Sequence, residues 1–255
     1  MKALLALAII VAAALPIGAQ TAPAFHDEFS AGKLDLSKWK VQTYQSPGSE
    51  PANNNKGTYS ADFVDLSQGL LRIKVEQKWQ NKVCYSTGGL IQSVDKFGYG
   101  TYEFVMRMTT TSPTPDGAGK TLSGAVSSSF LYNTNSESEI DLEFLGGENA
   151  IHITNWHNPT PSKPPTGSVK QSEAVENKFL GTQFRTYKLV WIPGSVKVYI
   201  DGVLVISHNQ HVPSAPTYII LQHRGTNTNS WGGTATTEVT RYFYVKSVAY
   251  TPLVP

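Results

Sequence analysis

Cysteine is nearly absent. Cys84 stands alone in 255 residues, so no intrachain disulfide can form and no cysteine-based metal spacing exists. The six histidines show no zinc-ligand spacing either. Charge is scarce as well: Asp, Glu, Lys and Arg make up 16% of the chain and nearly cancel, at a formal +2. No block of like charge stands out, which argues against nucleic acid or an anionic membrane surface as a partner. Amphipathic helical periodicity is missing beyond the first residues. The one long apolar run is Ala3 to Leu15. It follows Met1-Lys2 and ends in Ile17-Gly18-Ala19, the pattern of a secretory signal peptide cut after Ala19. The run is short for a membrane span of about 20 residues, and no stop-transfer charges follow. The expectation is a signal peptide over residues 1–19 and a secreted chain, extracellular or periplasmic, that starts at Gln20 and loses Lys2 for a net charge of +1.

What is present points to β-structure. Alternating segments recur between turn residues: 69–76, 98–108, 185–191, 196–200, 203–206 and 241–248. Pro193-Gly194 and Asp201-Gly202 sit between such segments as hairpin turns. Many short strands without a helix indicate an all-β sandwich or barrel, with residues 20–255 as a single domain. A chain of this length buries enough surface to stand without disulfides. Cys84 reads as a small apolar residue.

Residues 138–146, Ser-Glu-Ile-Asp-Leu-Glu-Phe-Leu-Gly, are the oddest stretch. On a strand, Glu139, Asp141 and Glu143 share one face. Like charges that close destabilise a sheet, and no cation lies inside the segment. About 0.1 windows of this acid-x-acid-x-acid form are expected by chance at this composition, so the alternation alone is weak. Its neighbour 151–157 carries Trp156 and two histidines, and aromatic rings beside carboxylates suit a carbohydrate groove. Two glutamates four residues apart lie about 13 Å apart along a strand. Their side chains can lean inward toward the carboxyl spacing of about 5–5.5 Å that a retaining glycosidase uses. One would attack the anomeric carbon and the other would protonate the leaving oxygen. Asp141 between them can hydrogen-bond the nucleophile and help hold the acid protonated. The residues alone leave open which glutamate does which.

The sequence resembles glycoside hydrolase family 16 along most of its mature length. The carriers are FHDEFSAGKLDLSKW (25–39), GGLIQSVDKFGYGTYEFVMRM (88–108), GAVSSSFLY (124–132), EIDLEFLG (139–146) and YKLVWIPGSVKVYIDGVLV (187–205). With no extra residue before the second glutamate, the strand is similar to the lichenase and endo-β-glucanase branch, whose catalytic strand has no bulge. The resemblance implies a concanavalin-like jelly-roll β-sandwich of two curved antiparallel sheets with a concave substrate cleft. It also implies Glu139 as nucleophile, Asp141 as its helper and Glu143 as acid/base.

Several positions depart from lichenases. Glu137 stands where they carry Trp, Leu90 and Gln92 where they carry an acid and an Arg, and Gln222-His223-Arg224 where they carry Asn-x-Trp. Asn155 and His157 match an Asn and a Tyr. Candidate substrate-binding residues are therefore Asn155, Trp156, His157, Gln222, Arg224 and Trp231, the last in Asn229-Ser230-Trp231-Gly232-Gly233. Trp39, Trp79 and Trp191 read as structural. The carboxylate that holds a calcium ion in many relatives corresponds to Phe243, so a calcium site is expected to be weak or missing. No other metal or cofactor is implied. The expected activity is retaining endo-hydrolysis of a β-linked glucan by a monomer, with polysaccharide as the only partner and neither nucleic acid nor membrane. Two alternatives use the same groove: a transglycosylase with the same acids, and a non-catalytic carbohydrate-binding protein.

Overall fold

A computed structural model describes residues 24–46, 54–133, 136–148, 150–160, 169–176 and 181–254. The signal-peptide segment 1–19 lies outside these residues, as does most of the loop 159–167. Among the described residues no helix is long and apolar enough to cross a membrane.

Among the described residues sixteen strands follow one another: β1 (Phe25–Asp27), β2 (Trp39–Val41), β3 (Asn55–Tyr59), β4 (Val64–Ser67), β5 (Leu70–Gln80), β6 (Val83–Phe97), β7 (Gly100–Thr110), β8 (Ala125–Tyr132), β9 (Glu139–Leu145), β10 (Ala150–His157), β11 (Val169–Glu176), β12 (Arg185–Ile192), β13 (Ser195–Ile200), β14 (Val203–His208), β15 (Thr217–Gly225) and β16 (Arg241–Pro252). All six alternating segments of the sequence become strands. The turn between β13 and β14 has φ of 49° at Asp201 and 82° at Gly202. Two consecutive positive φ values match the twist of a two-residue hairpin.

The strands form a jelly-roll sandwich. One sheet runs β11-β10-β9-β8-β15-β6 and the other β5-β16-β7-β12-β13-β14. The long strands β5 and β6 belong to both layers. Residues 71–75 of β5 pair with β16, while its end, 76–80, pairs with the start of β6. The rest of β6 then pairs with β15. Pairing is antiparallel except for β3, which runs parallel to β6.

The space between the layers is the core. Ile140, Leu142 and Phe144 of β9 point into it with Ile151, Ile153, Ile219 and Leu221, and meet Phe104, Met106, Tyr187 and Val245 from the opposite sheet. Each such side chain contributes about 1.5–3 kcal/mol by leaving water. That triple on β9 fixes the register. A one-residue slip would turn the three acids into the core and the three apolar residues into solvent. Trp39 and Trp191 are core residues as expected, whereas Trp79 is 48% exposed at the end of β5 and packs into no core. Cys84 is buried and free.

Candidate active site

The acid row lies on the floor of the cleft because three neighbouring strands agree in register. No register shift interrupts β9 between Glu139 and Leu145, so the strand is free of a bulge. Across it run three rows of side chains on the same face. Gln222, Ser128, Glu143 and His152 form one, Ile220, Phe130, Asp141 and Thr154 the next, and Tyr218, Tyr132, Glu139 and Trp156 the third. The cleft therefore crosses the strands, and the acids sit at its middle.

Two depressions meet at the acids. One, of about 330 Å³, is lined by Tyr44, Tyr59, Phe130, Tyr132, Gln222 and Arg224 together with all three acids. The other, of about 490 Å³, is lined by the same acids with Trp156, Lys170, Ser172 and Trp231. Hollows of similar size lie by the β5–β6 ribbon, at Phe63, Glu76 and Tyr85, and beside β3 at Asn54 and Lys56. Neither contains the acid row.

The carboxyls are buried together, and that sets their protonation. Asp141 is 5% exposed. Burial pushes its pKa well up, and the charges of Glu139 and Glu143 push the same way. It accepts a hydrogen bond from Trp156 Nε1 at 3.0 Å and shares another with Glu139. Burial also lifts Glu139, to about 7, against an opposing hydrogen bond from Ser136. Glu143 is raised by burial, with Arg224, Ser128 and His152 acting in the other direction. The three titrate as a set. Near neutral pH the row holds protons that exposed carboxyls would have lost, the condition for an acid and a nucleophile to coexist.

A hydrogen-bond chain fixes Glu143. Tyr59 Oη donates to Gln222 Oε1 at 2.5 Å, Gln222 Nε2 to Ser128 Oγ at 3.0 Å, and Ser128 Oγ to Glu143 Oε1 at 3.4 Å. On the opposite side the Lys170 ammonium lies 4.7 Å from the centre of the Trp156 ring. Trp231 meets His152 at 4.7 Å between ring centres.

Of the residues expected from the sequence, the cleft brings together Glu139, Asp141, Glu143, Trp156, Gln222, Arg224 and Trp231. It does not bring in Asn155 or His157. Asn155 is one step out of phase with Trp156, faces the interior and is 0% exposed. Its Nδ2 donates to the carbonyls of Gln210 and His211 at 2.9 and 2.8 Å, and its Oδ1 accepts from His208 Nδ1 at 2.6 Å. His157 ends β10 and hydrogen-bonds the Glu137 carbonyl through Nδ1 at 3.2 Å. Both are structural ties. Ser128, Phe130 and Tyr132 were accessible to the alternation argument once β8 was recognised as the neighbour of β9. Tyr44 and Tyr59 carry no local signal, since β3 reaches the cleft only through its parallel pairing with β6.

Phe243, where the resemblance would place a calcium-binding carboxylate, is buried in the core and offers no side-chain oxygen. Among the described residues no three His, Cys, Asp or Glu side chains are grouped to hold a metal ion. The residues do not fit a calcium ion there.

This fold and this acid row define a glycoside hydrolase. The chain belongs to glycosyl hydrolases family 16, whose model matches residues 51–244. It is similar to the beta-glucanase of Paenibacillus polymyxa, at 32% identity over 187 residues, 69% of this chain and 68% of that one. The beta-glucanase of Bacillus subtilis is 27% identical over 241 residues, 91% of this chain and 88% of the relative. Among solved structures, Bacillus licheniformis beta-glucanase superposes with a TM-score of 0.71 at 24% identity, covering 91% of this chain and 99% of that one.

Proposed function

We propose that the protein is a secreted, monomeric retaining endo-glycosidase that hydrolyses β-linked glucan, of β-1,3-1,4 or β-1,3/1,4 type, through a covalent glycosyl-enzyme intermediate. The observation that carries this reading is the unbroken strand whose three carboxyls, Asp141 buried and Glu139 and Glu143 half-buried, sit where two depressions of the cleft meet. The similarity to beta-glucanases supports the choice of polymer.

In this mechanism Glu139, as carboxylate, attacks the anomeric carbon while Glu143 gives its proton to the departing glycosidic oxygen. Asp141 hydrogen-bonds Glu139 and, through Trp156, is itself held in place. A water molecule then enters, Glu143 takes its proton, and the oxygen displaces Glu139 from the sugar. Two inversions give net retention. The tyrosines on one side and the tryptophans on the other offer apolar faces to successive sugar rings.

The test is incubation of the mature chain with lichenan, barley β-glucan, laminarin, xyloglucan, carrageenan and agarose, beside Glu139→Gln. New reducing ends and intermediate-length products from a β-glucan are expected, with the variant at least about a thousandfold slower. Release that persists in the variant would remove Glu139 from the mechanism. Redistribution of chain lengths without new reducing ends would indicate transfer to a sugar hydroxyl. Export is tested by the mass of the mature protein, which is expected to begin at Gln20.

A further inference from the structure

The cleft holds a buried cation that no hydrogen bond or ion pair among the described residues engages. Arg224 is 8% exposed and lines the tyrosine side of the cleft next to Glu143 and Gln222. Its Nε is buried without a hydrogen-bond partner. Among the described residues its side chain makes no ion pair or hydrogen bond. The two other buried arginines share the unpartnered Nε and differ at their terminal nitrogens. Arg241 donates from its terminal nitrogens to the Ser123 carbonyl at 3.0 Å and to Gln77 Oε1 at 2.7 Å. Arg107 donates to Thr110 Oγ1 and to the Gly117 carbonyl, both at 2.8 Å. Those guanidiniums are built into the fold, and that of Arg224 is left free toward the cleft.

We propose that Arg224 forms a subsite for a sugar that carries an anionic substituent, a sulfate or a carboxylate, on the tyrosine side of the acid row. The proposal rests on the endo-glycosidase reading and narrows its substrate class. A guanidinium taken out of water is costly unless paired, and its planar donors match two oxygens of one anionic group. A neutral hydroxyl would occupy one donor and leave the charge uncompensated. Glu143, the acid beside it, feels the Arg224 charge but makes no ion pair with it, and it gives up its own charge whenever it is protonated as the acid. Across the strands Arg224 lies beside Val126, which has no acceptor side chain, and its Cα packs closely on Gly88 of β6.

Binding and hydrolysis are measured separately, so that the two readings can fail independently. The full chain with Glu139→Gln is titrated with three oligosaccharides on one backbone: lichenan oligosaccharide, its 6-O-sulfated form and its C6-oxidised carboxylate form. The expected result is about tenfold or more tighter binding of one anionic form than of the neutral one, from charge-assisted hydrogen bonds. That gain is expected to weaken with added salt, to vanish in Glu139→Gln/Arg224→Gln and to survive in part in Glu139→Gln/Arg224→Lys. Which form gains identifies the group as sulfate or carboxylate. Equal Kd for all three, or a preference retained without Arg224, overturns the proposal even if neutral lichenan is hydrolysed. An Arg224-dependent preference in a wild-type chain that cleaves no polymer upholds the subsite and overturns the glycosidase. Matching thermal unfolding of the variants excludes misfolding as the cause.

Discussion

At the scale of single residues, the acid row trades stability for chemistry. The folded carboxyls hold protons that the unfolded chain releases from about pH 4 upward. Because their folded pKa values lie above the unfolded ones, with Glu139 at about 7, the row's contribution to stability is complete at low pH. It declines as pH rises through 7. Glu139→Gln removes one ionisation. Relative to the wild type, the variant is expected to gain about 3 kcal/mol between pH 4 and pH 8. Denaturant unfolding at the two pH values measures it, and equal differences at both would mean that burial does not perturb this carboxyl. The same calculation explains why the row survives next to Ile140, Leu142 and Phe144. Three apolar side chains buried on one face outweigh three carboxyls whose ionisation is held back by burial on the other.

At the scale of elements, alternation made most strands legible in the sequence and their partners illegible. β9 could be read with both its faces, because its charges and its apolar residues alternate without exception. β10 could not. Asn155 and Trp156 are adjacent, both chemically suited to a sugar, and only the pairing of Trp156 with Glu139 decides which one enters the cleft. Asn155→Ala is therefore expected to lower stability by about 2–3 kcal/mol, through three lost hydrogen bonds, with KM unchanged. A raised KM in a chain of normal Tm would return Asn155 to the substrate. The crossing of β6 over β15 gives a second expectation. A Cβ on Gly88 would stand 2.2 Å from the His223 carbonyl oxygen and 3.2 Å from the Arg224 Cα. Backbone cannot yield as a side chain can, so Gly88→Ala is expected to cost about 3 kcal/mol or more. A thermal melt of the variant that matches the wild type would mean that the two strands separate freely there.

At the scale of the whole molecule, the fold class followed from the spacing of turns, and the acid row of the candidate site from one strand. The tyrosine side of the cleft was hidden, since Tyr44 and Tyr59 arrive from the amino-terminal third of the chain. A site made from distant segments leaves no local pattern. Phe243 packs in the core where the resemblance would place a calcium-binding carboxylate. Chelation by EDTA is expected to leave both Tm and activity unchanged. A fall in Tm that added calcium restores would reveal a site built largely from backbone carbonyls.

One feature of the sheet order reaches back to the making of the chain. β15 is inserted between β6 and β8, though both precede it by a long stretch of sequence. Until Thr217–Gly225 is synthesised and delivered, β6 and β8 each keep an open hydrogen-bonding edge, the surface on which chains pair with one another. The tyrosine side of the cleft is incomplete until then, because Gln222 and Arg224 arrive on that strand. A chain synthesised from its amino terminus therefore carries its three acids well before the cleft around them is complete, and only the last quarter of the polypeptide closes the sheet.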